Sequence, residues 1–211
     1  MEELELYDNQ ITKIENLAKL QKLRVLDLSF NNIRKVENLE ELANLEIMYL
    51  LSNRIKVIEN LENKPKVKEI ELGSNKIEKI ENLRDFPSLQ TLVLAKNKIA
   101  VIENLAPICH LRVLNLTCNT ISKIQGLESL VYLEELYLAE NYIEKIENLD
   151  KNNKLLILDL SYNKIAKMEN LEHMTVLEDL WVSLGVIGKQ NRQLRKTGLL
   201  ETNAQFEDCV F

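Results

Sequence analysis

The chain has 211 residues, of which 45% are hydrophobic and 28% are charged, and its formal net charge is −6. This acidic balance disfavours nucleic acid and anionic membranes as partners, because both are usually bound through basic surfaces. The chain begins with acidic residues and has no apolar run near the length of about 20 residues that a membrane span needs, so we expect neither a signal peptide nor a membrane helix.

A unit of 22 residues recurs without insertion from the start of the chain to about residue 184. Its clearest mark is an asparagine at the same place in each unit: Asn9, Asn31, Asn53, Asn75, Asn97, Asn119, Asn141 and Asn163. Around it runs the pattern Leu-x-x-Leu-x-Leu-x-x-Asn-x-Ile-x-x-Ile-Glu-Asn-Leu. Such a period predicts stacked copies of one supersecondary unit.

Each unit predicts a short strand followed by tight turns. Leu26 and Leu28 are two residues apart, so they share one side of a strand while Asp27 faces the other side. Apolar residues then come at intervals of three, which suits short 3₁₀ or α turns. Stacking buries the apolar side. The predicted fold class is therefore α/β, a leucine-rich-repeat solenoid with a concave parallel β-sheet of eight or nine strands and convex short 3₁₀/α turns.

The asparagines are interpreted as structural, because an amide at the bend after each strand can satisfy backbone groups of neighbouring coils. Two polar residues, Lys64 and Asn152, occupy a slot that is apolar in the other units. In the ninth unit Gly185 stands where asparagine is due. We expect residues 1–185 to form the solenoid, with eight full repeats and a partial ninth, and residues 186–211 to form a poorly ordered tail.

Outward positions of the strands carry no packing role, so they are the candidate binding residues. Three such slots hold ten acidic residues against one basic residue, Lys96. Tyr49, Tyr137 and Trp181 share the central slot, and aromatic anchors beside charges are typical of interface hot spots. The alternative is that a sheet facing water simply carries charged and strand-favouring residues. We favour a protein-binding surface.

Catalysis is poorly supported, and we expect the protein not to be an enzyme and to hold no cofactor or metal. The two histidines, His110 and His173, are almost three units apart. The paired carboxylates Glu69 and Glu71 lie on an open sheet, where we expect no water-excluding pocket that would shift a pKa. Three irregularly spaced cysteines predict no disulfide framework, which favours an intracellular protein.

At variable positions of the repeat, the chain resembles the leucine-rich-repeat regulatory subunits of protein phosphatase-1. The similar segments include Leu-Tyr-Asp-Asn-Gln-Ile at 6–11 and Leu-Asp-Leu-Ser-Phe-Asn at 26–31. The resemblance implies a nuclear and cytoplasmic regulator that binds the phosphatase catalytic subunit, and a shortened or alternatively spliced form of it. It implies contact residues on the concave strands: Asp27, Tyr49, Glu71, Asp159, Asp179 and Trp181.

The chain departs from that family at some of these positions. Tyr49 and Val93 stand where the family has phenylalanine, and Asp179 stands where it has glutamate. Tyr137 joins the candidate contacts because of its place in the central slot. The alternative interpretation is a structural adaptor of cilia or microtubules, since axonemal proteins use the same repeat.

Overall fold

The computed structural model describes residues 1–84 and 86–183, together with the backbone of two short strands at 192–195 and 207–209. In this part of the chain, eleven strands form one sheet in sequence order. The strands are β1 (Glu3–Glu5), β2 (Val25–Asp27), β3 (Ile47–Tyr49), β4 (Glu69–Glu71), β5 (Thr91–Val93), β6 (Val113–Asn115), β7 (Glu135–Tyr137), β8 (Ile157–Leu160), β9 (Asp179–Val182), β10 (Arg192–Arg195) and β11 (Glu207–Cys209).

The first nine strands are parallel, and neighbouring strands pair in a register of 22 residues, as Leu26 with Met48 shows. The predicted parallel-sheet solenoid is thereby confirmed. Strands β10 and β11 run antiparallel to their neighbours. The rest of the tail lies outside the described residues, so the expectation that residues 186–211 are poorly ordered stays a prediction.

The core is a continuous apolar column inside the stacked coils. The middle residue of each strand from β2 to β8 is buried, as are the apolar residues of the turns, such as Ile33, Val36 and Leu39. Burying one such side chain stabilises the fold by about 1.5–3 kcal/mol. Because each coil packs only on its neighbours, the stability of the fold is approximately a sum of contributions from the coils and from the contacts between neighbouring coils.

The turns opposite the sheet are short turns of the 3₁₀ type, as the apolar spacing of three predicts. In the described part of the chain only Ala106–Ile108 forms a 3₁₀ helix. Elsewhere backbone hydrogen bonds between residues three apart close the turn, for example from the Leu42 amide to the Leu39 carbonyl at 3.0 Å and from the Leu45 amide to the Leu42 carbonyl at 3.3 Å.

The asparagines of the 22-residue period are structural, as predicted. The Asn119 amide nitrogen donates to the carbonyl oxygens of Leu94 on the preceding coil and Leu116 on its own coil, at 3.0 Å each. Its side-chain oxygen accepts the Ile99 amide at 2.9 Å. One side chain thus satisfies three backbone groups at a bend where strand pairing has ended.

A second asparagine ladder, not recognised from the sequence, comes from the Ile-Glu-Asn-Leu segment. Asn38 has a φ of 59°, in the left-handed region, and its side chain donates to the Ile14 carbonyl at 2.6 Å. Asparagine tolerates this region better than most residues. Gly126 takes the equivalent place in the sixth unit with a φ of 70°, where a Cβ would lie 2.5 Å from the Ile102 carbonyl oxygen.

The two polar residues in the apolar slot are fully buried. The Lys64 ammonium donates to the Glu62 carbonyl at 3.0 Å, and burial lowers its pKa. The Asn152 amide nitrogen donates to the carbonyls of Leu127 and Leu130, while its oxygen has no hydrogen-bond partner. These two coils therefore gain less from packing than the others.

An ion ladder crosses the coils where the strands begin. Glu46 accepts from the Arg24 guanidinium at 2.7 Å and from the Lys68 ammonium at 2.9 Å, which lowers the pKa of Glu46 from 4.5 to about 2. Arg112 and Glu134 form a similar pair farther along the sheet. The ladder links side chains that are one full unit apart in sequence.

We expect Asn119→Ala to lower the free energy of unfolding by at least about 2 kcal/mol, since buried backbone groups lose their partners. Denaturant unfolding measures this change. The exposed Lys123→Ala is the control and should change stability by less than about 0.5 kcal/mol. Equal stability of the two variants would contradict a structural role for the asparagine ladder.

The Glu46 ion ladder predicts a specific loss of stability in acid. Because folding depresses the pKa of Glu46, its contribution is complete above pH 4.5 and is lost as the pH falls toward 2. Glu46→Gln should therefore flatten the fall in stability across that window, measured by unfolding at a series of pH values. Glu41→Gln, an exposed carboxylate with no ion pair in the described structure, should leave the profile unchanged.

Candidate protein-interaction face of the sheet

Strand register gathers the candidate residues into two adjacent rows on the solvent side of the sheet, which we call the sheet face. The central row holds the third strand residues: Glu5, Asp27, Tyr49, Glu71, Val93, Asn115, Tyr137, Asp159 and Trp181. The parallel row holds the first strand residues: Glu3, Val25, Ile47, Glu69, Thr91, Val113, Glu135, Ile157 and Asp179.

All seven residues predicted from the sequence therefore lie on this face, six in the central row and Asp179 in the other. Each is half-buried, since side chains of the adjacent strands cover its flanks. The structure establishes their common placement, while their role in binding stays a prediction.

Within the sheet face, the acidic and aromatic residues divide into two clusters. The first surrounds Tyr49 and contains Asp27, Glu69 and Glu71. Partial burial raises the pKa of Tyr49, and the negative charges of Glu69 and Asp27 raise it further. A tyrosine so placed stays a neutral hydrogen-bond donor within a negative field.

The second cluster surrounds Tyr137. The Tyr137 hydroxyl donates to the Glu135 carboxylate at 2.7 Å. Burial, this hydrogen bond and the charges of Glu135, Asp159 and Asp179 raise the pKa of Tyr137 to about 12. Trp181 lies beside Asp159 in the same row. This cluster combines two aromatic rings with three carboxylates.

Neutral residues separate the two clusters. Strands β5 and β6 present Thr91, Val93, Val113 and Asn115 to the sheet face. The residue order along each row therefore produces two acidic ends and a neutral centre. The facing edges of the two clusters, at β4 and β7, are three strands apart, which is roughly 15 Å. A complementary partner would carry two basic regions at this separation.

Several of the carboxylates also accept hydrogen bonds from backbone amides just after their own strands. Asp27 accepts the Ser29 amide at 2.8 Å, and Asp159 accepts the Ser161 amide at 2.9 Å. Glu71 accepts the Gly73 amide at 2.6 Å. These bonds fix the side chains in place, so substitution by alanine at these sites removes a structural contact as well as a charge.

The expectation that no pKa shifts on an open sheet was wrong for Glu71. Burial raises the pKa of this carboxyl, and the neighbouring charge of Glu69 adds to the effect. Gly73 makes room for it, because a Cβ there would lie 2.6 Å from a Glu71 oxygen. The long glutamate side chain folds back over its own strand, where water is partly excluded.

The third slot counted from the sequence lies at the turn just beyond each strand. Phe30 and Tyr162 occupy it with φ values of 55° and 54°, and they are 52% and 62% exposed. Their rings face solvent outside the two rows. They are therefore useful as aromatic controls for the sheet face.

The repeats belong to a known family. The leucine-rich repeat family matches residues 1–99 and 151–167, and a profile of two leucine-rich repeat copies matches residues 87–129. The chain is a leucine-rich-repeat protein. A search among curated proteins found no significant match.

Solved structures share the fold of this leucine-rich-repeat protein. It is 25% identical to internalin C2 of Listeria monocytogenes, with a TM-score of 0.81 over 86% of this chain and 80% of internalin C2. It is 26% identical to internalin InlF of the same species, with a TM-score of 0.73 over 82% of this chain and 52% of InlF. It is also 27% identical to TLR13 in a complex with ssRNA13, with a TM-score of 0.77 over 85% of this chain and 28% of TLR13.

The histidines do not assemble into a site. His110 stacks on Tyr132 with ring centroids 5.6 Å apart, and the His173 ring lies 3.0 Å from the Leu149 carbonyl. Among the described residues, no group of three or more His, Cys, Asp or Glu side chains is placed to hold a metal ion. In the same part of the leucine-rich-repeat protein, no helix has the length and apolar character to cross a membrane.

We expect Glu135→Gln to lower the pKa of Tyr137 from about 12 toward its ordinary value of 10, because the nearest negative charge is removed. A pH titration of the tyrosine ring carbon attached to oxygen, followed by NMR, measures the change. Glu140→Gln, which removes a carboxylate outside the two rows, should leave the Tyr137 titration unchanged. An unaltered pKa in Glu135→Gln would contradict the described cluster.

Proposed function

We propose that this leucine-rich-repeat protein is a non-catalytic regulator that binds the catalytic subunit of protein phosphatase-1 through its sheet face. Leucine-rich-repeat domains generally serve as protein-binding scaffolds, and proteins that contain them are typically not enzymes. The proposal of this particular partner draws on the sequence resemblance to the phosphatase regulators. It places the protein in the nucleus and cytoplasm.

The observation that carries the proposal is the placement of seven candidate contacts in two adjacent rows. Asp27, Tyr49 and Glu71 belong to the first cluster, and Tyr137, Asp159, Asp179 and Trp181 belong to the second. Rigid, half-buried aromatic rings supply contact area with little loss of conformational entropy. Fixed carboxylates beside them steer a basic partner surface and set its orientation.

Val93 makes the centre of the sheet face a weaker contact region than the two clusters. It lies in the neutral centre, at the position where the resembling regulators carry phenylalanine. A valine there offers less contact area than an aromatic ring. The second cluster contains the one tryptophan of the sequence, and tryptophan is enriched among hot-spot residues, so we assign the strongest contacts to it.

The test replaces Trp181 by alanine and Asp159 by asparagine together. Asparagine keeps an acceptor for the Ser161 amide and removes only the charge, whereas alanine would also release that strand end. Loss of a hot-spot residue typically weakens binding by about 2 kcal/mol, or roughly 30-fold. We expect at least this loss of affinity for the purified catalytic subunit, measured by calorimetry.

A matched control changes an aromatic and an acidic residue outside the two rows, as Tyr162→Ala with Glu140→Gln. This variant should bind like the parent protein. Leu158→Ala reports on stability instead, because it deletes a buried side chain and should lower the free energy of unfolding by about 2–5 kcal/mol. Unchanged affinity of the Trp181 and Asp159 double variant at equal folded fraction would contradict the proposed site.

Affinity capture from a cell extract, followed by mass spectrometry, separates this proposal from the adaptor alternative. Recovery of the phosphatase catalytic subunit, lost in the double variant, supports the regulator. Recovery of tubulin or dynein components without the phosphatase would instead favour a structural adaptor of cilia or microtubules.

A further inference from the structure

A second charged surface lies outside the sheet face, on the segments that follow the first asparagine ladder in repeats two to five. We call it the basic ridge. The four segments are 32–35, 54–57, 76–79 and 98–101, and they contain a single acidic residue, Glu78. The exposed cations of the ridge are Arg34, Lys35, Arg54, Lys56, Lys76, Lys79 and Lys98.

Backbone hydrogen bonds hold the ridge in a fixed spacing. The amides of Arg54, Lys76 and Lys98 each donate at 2.8 Å to the isoleucine carbonyl of the preceding coil. The isoleucines between the cations, such as Ile55 and Ile77, are fully buried. Three cations therefore stack on successive coils roughly 5 Å apart.

Few carboxylates lie close enough to the ridge to neutralise its cations. Of the ion pairs among the described residues, only one involves the ridge, a 4.0 Å contact between Lys98 and Glu78. Where the strands begin, by contrast, charges on successive coils alternate in sign, as those of Arg24, Glu46 and Lys68 do. Like charges that lie close together repel each other, which lowers stability. Stability therefore gives no reason for Arg54, Lys76 and Lys98 to be stacked.

The ridge is narrow. The asparagine ladder and the turn residues before it separate the ridge from the sheet face on one side. A row of half-buried glutamates borders it on the other, including Glu37, Glu59, Glu81 and Glu103. An anionic ligand must therefore follow a single line across four coils. That line is about 15 Å long, which an extended peptide covers with about five residues.

We propose that the basic ridge binds an extended acidic segment of a partner protein, independently of the sheet face. Carboxylates at alternate residues of such a segment face the same side, roughly 7 Å apart, and can reach the long cationic side chains of the ridge. The ridge positions contain no aromatic side chain on which nucleic-acid bases would stack. The bordering carboxylates and the net charge of −6 repel a broad polyanion, whereas a single peptide strand contacts only the ridge.

The test measures binding of a fluorescent hexaglutamate peptide by anisotropy in low-salt buffer. Arg54→Glu combined with Lys76→Glu reverses the sign of the charge at the centre of the ridge. We expect this variant to lose at least about tenfold in affinity, because two attractive contacts become repulsive. Binding of the parent protein should also weaken steeply when salt is raised to about 0.5 M, where exposed charges are screened.

Lys123→Glu combined with Lys145→Glu is the matched control. Both residues are exposed cations after the asparagine ladder in repeats six and seven, outside the ridge, and the net charge changes equally. This variant should retain parent affinity within about twofold. An equal loss in both variants would show a general charge effect and overturn the proposal, as would failure of the parent protein to bind the peptide.

Two further probes separate the peptide from other anions. A single-stranded RNA of six nucleotides and vesicles containing phosphatidylserine are measured under the same conditions. Weaker binding of both than of the peptide supports the proposal. Tighter binding of either one, lost in the Arg54 and Lys76 double variant, would overturn it in favour of a nucleic-acid or membrane surface. The Trp181 and Asp159 double variant should bind the peptide normally, which keeps this result separate from the phosphatase proposal.

Discussion

Each coil must turn sharply after a strand of three or four residues, and that turn leaves backbone amides and carbonyls without strand partners. The buried asparagine side chain resolves this problem because its amide both donates and accepts. Asn119 serves carbonyls on two coils and an amide on one of them. The coil-to-coil spacing, the strand register and every row of surface residues depend on this repeated contact.

Strict register has a direct consequence for function. Since every coil places the same position of the unit at the same point on the surface, a row of side chains can vary without disturbing the core. The sheet face uses this freedom for two acidic, aromatic clusters around Tyr49 and Tyr137. The sheet-face residues of β5 and β6 between them are neutral, so the two ends of the face are chemically alike and physically separate.

Charge is distributed by surface as well as by repeat. Carboxylates dominate the sheet face, whereas cations gather on the basic ridge. Salt links within the fold, such as that of Glu46 with Arg24 and Lys68, lie on a third line where the strands begin. A net charge of −6 therefore conceals surfaces of opposite sign, and a formal charge for the whole chain says little about any one partner.

The 22-residue period by itself determined the stacked coils, the buried middle residue of each strand and the outward position of residues such as Asp27 and Trp181. Periodicity succeeds there because it fixes which side of a strand each residue faces. Only the tertiary structure showed that Asp159 accepts the Ser161 amide and that the Tyr137 hydroxyl donates to Glu135. It also showed that asparagines such as Asn38 form a second ladder. These contacts depend on side-chain conformations and on distances between coils, and neither quantity is encoded in a spacing along the chain.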